Sequence, residues 1–102
     1  MSWRVVVRAE AGDDVAEAAD WYDEKSPGLG EEFVEEVLKV FDALTANPLL
    51  NSRRHPRKDV RWRYPERFPY RVIYQVRQRD QIVIVAAVLH AAKHDREWRR
   101  RV

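Results

Sequence analysis

The side chains able to do chemistry in this sequence are nearly all cations, and they crowd into one stretch: Arg61, Arg63, Arg67 and Arg71, then His90, Lys93 and His94. Guanidinium groups two residues apart on a strand project from one face, where they can grip phosphodiester or carboxylate oxygens through paired hydrogen bonds. A histidine at a strand end titrates near neutral pH and can serve as general acid or base. Plainer roles fit the same residues. Arg61 and Arg63 could be the wet side of an amphipathic strand, Arg71 a salt-bridge partner of an acid on the helical hairpin, and His90 a hydrogen-bonded structural group.

Other chemistries lack their residues. There is no cysteine, so disulfides, thiolate metal sites and thiol nucleophiles are excluded. The chain has only three glycines and no glycine-rich phosphate loop, and the basic stretch has no paired carboxylates. His90 and His94 stand four residues apart with no adjacent ligand set, which argues against zinc. No metal and no cofactor is expected.

The elements that must position these groups follow from periodicity. "WRVVVR", Trp3 to Arg8, is a β-branched run and a first strand. Ala11 to Lys25 has Val15, Ala18, Ala19 and Tyr22 at helical spacing, with Asp13 and Asp14 near the positive end of the helix dipole. "SPGLG" breaks it, and a second helix runs to about Ala46 on a stripe of Phe33, Val37, Val40, Phe41 and Leu44, widened by Val34 and Leu38. Residues 47–59 lack periodicity and carry Arg53, Arg54, Arg57 and Lys58, which predicts a basic loop. Val60 to Tyr64 alternates, with Val60, Trp62 and Tyr64 on the side that helices would cover and Arg61 and Arg63 looking outward.

In "ERFPYRVIYQV", Phe68, Tyr70, Val72, Tyr74 and Val76 alternate with Pro69, Arg71, Ile73, Gln75 and Arg77. "RQRD" turns this strand into Gln81 to His90, which is apolar on both faces and so belongs inside the sheet. His90 is in phase with Ile82, Ile84, Ala86 and Val88. The last residues read as a short tail or helix from Asp95, with Trp98 as a packing anchor and Arg99 to Arg101 exposed. The predicted fold is α+β, in the order β-α-α-β-β-β, with an N-terminal helical hairpin packed on a mostly antiparallel sheet.

At 102 residues the chain fits one domain, 1–102. Its net charge of +2 conceals an asymmetry. Residues 1–50 hold 4 Lys/Arg against 12 Asp/Glu, a balance of −8, and residues 51–102 hold 15 against 5, a balance of +10. A basic face of this kind attracts phosphates or an acidic partner. The longest apolar run, Ile82 to Leu89, is eight residues, against roughly 20 needed to span a bilayer. No membrane association and a cytoplasmic location are expected.

Four pieces together resemble the RelE/ParE superfamily of bacterial type II toxins: "AADWYDEKSPGLGEEF", "ALTANP", "VRWRYPERFPYRVIYQV" and "IVIVAAVLHAAKHDREWRRR". They cover nearly the whole chain in order. The resemblance implies a toxin of plasmid-stabilisation type, held inactive in a hetero-oligomer with a cognate antitoxin that folds as it wraps the toxin. RelE-like members cut messenger RNA on the ribosome. By that resemblance Arg61 and Arg71 would hold the scissile phosphate, and His90 or Lys93 would transfer protons. ParE-like members bind DNA gyrase and poison it.

Ala91 and Ala92 stand where RelE ribonucleases typically carry Lys and Arg, and Trp98 stands near their tail tyrosine. The hairpin signature "WY…PGLG…F" is more like the ParE side. The favoured expectation is therefore a gyrase inhibitor rather than an enzyme. The alternatives are a RelE-like endoribonuclease and an inactive member that only binds antitoxin. Arg61, Arg63, Arg67, Arg71 and Trp98 are the expected contacts for antitoxin or target.

Overall fold

Helix-forming sequence begins slightly earlier than its apolar spacing suggests. The computed structural model describes residues 2–102, and in it α1 spans Ala9–Lys25 and α2 Leu29–Ala46. The turn between them depends on glycine twice. Gly28 adopts φ 88°, the left-handed region that favours glycine. Gly30 donates its N–H to the Asp23 carboxylate at 2.8 Å, and a Cβ there would lie 2.3 Å from the Ala19 carbonyl oxygen. Only a residue without a side chain lets α2 start this close to α1.

The strands are β1 (Arg4–Val7), β2 (Arg53–Arg54), β3 (Arg61–Arg63), β4 (Tyr70–Arg77) and β5 (Ile82–His90), and a single turn of helix, α3 (Arg96–Arg99), closes the chain. They form one sheet in the order β1-β5-β4-β3-β2. Among the described residues only the β1–β5 pair is parallel, so the sheet is mostly antiparallel. β5 lies inside the sheet, as its two-sided apolar character requires. The stretch 47–59 is not wholly a loop, because Arg53 and Arg54 pair with Trp62 and Arg61. A two-residue strand is too short to leave a periodic trace. No helix among the described residues is long and apolar enough to cross a membrane.

Two apolar layers sandwich the sheet. The larger lies under the hairpin, where Phe33, Val37, Val40 and Leu44 meet Phe68, Val72, Tyr74, Val83, Val85 and Val88. Phe33 packs its ring on Phe68 and Tyr70 at 5.2 and 4.9 Å, contacts that add about 0.5–1.5 kcal/mol each beyond the area they bury. The smaller layer is on the opposite face. Val60, Ile73, Ala87 and Leu89 surround Trp98 there, with Trp62 against them.

This second layer reverses the expected facing of β3. Residues directly opposite in an antiparallel pair project to the same side. Trp62 is opposite Ile73 and therefore faces the tail, whereas Arg61 and Arg63 are opposite Tyr74 and Val72 and share the hairpin's side. The sequence pattern separates the two sets correctly, but the helices cover the other one.

A bulge in β5 corrects a second expectation. Ile73 pairs with Ala87, yet the next residue, Tyr74, pairs with Val85, so Ala86 is an extra residue. The alternation flips there: Val83, Val85 and Val88 pack under the hairpin, and Ala87 and Leu89 pack on the tail side. His90 follows Val88 toward the hairpin and is out of phase with Ile82 and Ile84.

Candidate functional site

The predicted constellation separates into three places. The first is the rim formed by β2 and β3. Arg61 and Arg63 are half-buried there, and Arg61 Nη1 donates to Ser52 Oγ at 3.1 Å. Arg54 is directly opposite Arg61 and shares its face, so two like charges sit side by side, an arrangement that is unfavourable without a counter-ion. Among the described residues no carboxylate lies within ion-pair distance of Arg53, Arg54, Arg61 or Arg63. Tyr74 lies beneath them and donates its hydroxyl to the Pro48 carbonyl at 2.6 Å. Burial raises the Tyr74 phenol above its ordinary pKa, although Ser52, Arg63 and Arg61 pull the other way. It stays protonated at neutral pH and cannot act as a base. No local pattern singles out Arg54, since its position beside Arg61 depends on strand pairing.

The second place is the tail side of the sheet. Arg71 pairs with Leu89 across β4–β5 and is only 7% exposed. Its Nη1 donates to Asp95 Oδ1 and its Nη2 to the Lys93 carbonyl, both at 3.1 Å, while the guanidinium lies 5.6 Å from the centre of the Trp62 ring. Burial pushes the Asp95 carboxyl up, but hydrogen bonds from Arg71 and Trp98 and the Arg71 and Arg99 charges outweigh it, holding Asp95 below the usual range. Arg71 therefore does not join Arg61 and Arg63, and a single phosphate cannot reach both faces of one sheet. Trp98 is fully buried, donating its indole N–H to Asp95 at 3.2 Å. In this conformation it presents no surface to a partner.

The third place is a cleft between α1 and the end of β5, lined by His90 and Lys93 among others. Tyr70 is opposite His90, ring to ring at 5.3 Å. His90 Nδ1 accepts the Ala92 N–H at 3.0 Å, and His94 Nδ1 accepts the Arg96 N–H at 3.1 Å. Both histidines thus hold turns of the tail. No group of three His, Cys, Asp or Glu able to hold a metal occurs among the described residues.

Arg67 stands apart from all three places. It adopts φ 72°, unusual for a residue with a side chain, and its guanidinium reaches Glu32 of α2 at 3.5 Å. The expected exposure of Arg99 to Arg101 holds for the first two only. Arg101 makes a two-pronged pair with Asp14, at 2.6 and 3.2 Å.

A family model described as the ParE toxin of the type II toxin–antitoxin system parDE matches residues 5–94. No curated protein sequence matches the chain significantly. Among solved structures, the fold is similar to a chain of the chromosomal ParDE system of P. aeruginosa, with a TM-score of 0.74 at 16% identity over 86% of this chain and 95% of that one. It is also similar to a chain of the toxin–antitoxin complex RelBE2 of Mycobacterium tuberculosis, with a TM-score of 0.62 at 20% identity over 88% and 99%. These likenesses extend to the fold. The family match spans most of the sequence, and the chain belongs to the ParE toxin family of type II toxin–antitoxin systems.

Proposed function

We propose that this protein is a cytoplasmic toxin that inhibits DNA gyrase by binding it, and that a cognate antitoxin neutralises it in a hetero-oligomer. The observation that carries the binding mode is the separation of the candidate catalytic groups. Arg61 and Arg71 project from opposite faces of the sheet, and His90 and Lys93 line a third site. Cleavage of a phosphodiester needs charge stabilisation and proton transfer to converge within hydrogen-bond reach of one group.

We assign the antitoxin's contact to the β2–β3 rim, at Arg54, Arg61 and Arg63; Arg67 lies apart, paired with Glu32. Unpaired guanidinium groups there would gain carboxylate partners on binding. Messenger cleavage on the ribosome is the competing activity, and a harmless antitoxin-binding member the third.

The test is inducible expression without antitoxin, following thymidine and methionine incorporation over the first minutes. An early fall in thymidine incorporation alone is expected. An earlier fall in methionine incorporation would transfer the assignment to messenger cleavage, and no change in either would mean a non-toxic member.

A further inference from the structure

β1 ends at Val7, opposite Val85, so beyond that point the outer edge of β5 has no neighbouring strand among the described residues. Side chains occupy the vacated positions. Asp14 accepts the Val88 N–H at 3.0 Å, and Arg101 donates to the Ala86 carbonyl at 3.2 Å. This edge is therefore closed to strand addition. What remains between α1 and β5 is a cleft of about 360 Å³.

Its walls are aromatic and acidic. Trp21, Tyr70 and His90 line it, with Glu17 and Asp14 from α1 and Lys93 from the tail. Tyr22 couples the rings, lying 5.1 Å from Trp21 and 6.0 Å from Tyr70. Trp21 is 50% exposed, so part of its ring is open to an incoming group. Its ring already attracts a cation, the Lys25 ammonium at 5.0 Å.

The carboxylates differ in what they have left to give. Asp14 is neutralised by Arg101. Glu17 is exposed and has no ion-pair partner among the described residues, and its charge reaches the Tyr70 hydroxyl, adding to the effect of burial and of Tyr22 in raising that phenol. Asp13, Asp20 and Glu24 extend the negative charge along the exposed side of α1. Lys93 is the opposing charge in the lining, and His90 contributes a ring nitrogen, Nε2, not used by the tail turn.

We propose that this cleft is a docking seat for an arginine side chain of a protein partner, its guanidinium against the Trp21, Tyr70 and His90 rings and paired with Glu17. Guanidinium is planar, weakly hydrated and suited to stacking on aromatic faces. An anionic group would instead meet Glu17 and the acids of α1. The seat is separate from the basic β2–β3 rim and requires the opposite charge in its partner. The molecule therefore offers two docking surfaces, and the inference stands whether or not gyrase is the target.

The experiment is an NMR titration of the purified full chain with a blocked Gly-Gly-Arg-Gly-Gly peptide, its citrulline counterpart and a Gly-Gly-Glu-Gly-Gly control. The arginine peptide should shift the Trp21 indole and bind at least about fivefold more tightly than the uncharged citrulline peptide, the scale of one partly exposed cation–π contact. Glu17→Gln should weaken the arginine peptide about two- to fivefold, and Lys93→Ala should strengthen it similarly. Both positions are exposed, so neither change threatens the fold. Equal binding of arginine and citrulline, indifference to Glu17→Gln, or preference for the glutamate peptide would each overturn the proposal.

Discussion

Arg61 and Arg71 lie on neighbouring strands of one sheet and have opposite fates. Arg71 is buried on the tail side, with Asp95, a backbone carbonyl and the Trp62 ring arranged around it. Arg61 is half-buried on the other side, with a single serine hydroxyl and a second arginine, Arg54, across from it. The lesson is about what makes a cation available. A guanidinium enclosed by its own chain holds structure together, whereas one left beside a like charge is stabilised by whatever anion arrives. Under the proposed function, partner binding falls to the β2–β3 rim, whereas the bonds of Arg71 tie down the tail.

Breaking the tail should erase the difference. Trp98→Ala removes the centre of the smaller apolar layer and should cost about 3–5 kcal/mol, read by urea unfolding. It should also free Arg71, so that anion binding appears on a face that had none. Arg101→Ala comes next. It leaves the largely buried Asp14 unpaired and frees the Ala86 carbonyl. A loss of about 2–3 kcal/mol is expected, with faster amide exchange at Val88.

Asp95→Asn should cost about 1–2 kcal/mol, less because Asp95 is over a third exposed. Its pH dependence has a definite sign. The folded pKa is below the unfolded one, so the stabilisation is complete above about pH 4 and is lost as pH falls through the depressed value. The variant should show a correspondingly shallower acid transition. Arg61→Ala and Arg63→Ala should change stability by no more than about 0.5 kcal/mol, yet weaken antitoxin binding about tenfold or more by calorimetry.

The hairpin, β4 and β5 were legible because each is long enough to repeat its apolar period and is bounded by Gly, Pro or Asp. The features that differ from expectation leave no local periodic signal. β2 has two residues and no period, and the facing of β3 depends on which apolar layer each set meets. The smaller layer exists because Trp98 folds back from the end of the chain. The bulge at Ala86 sits in a uniformly apolar run, where no polar residue marks the change of phase. Of the site, the basic residues were legible as a group. Their division between two faces was not, since Arg71 finds Asp95 24 residues away and Arg54 meets Arg61 only once the sheet has formed.

The measurement to make first is DNA gyrase supercoiling of relaxed plasmid in the presence of the purified chain, beside ribosomes translating a labelled messenger. Binding to gyrase predicts that supercoiling stops while the messenger stays intact. Unimpaired supercoiling with a messenger cut on the ribosome would contradict it, and would require Arg61, Arg71 and the cleft histidine to converge in a conformation different from this one.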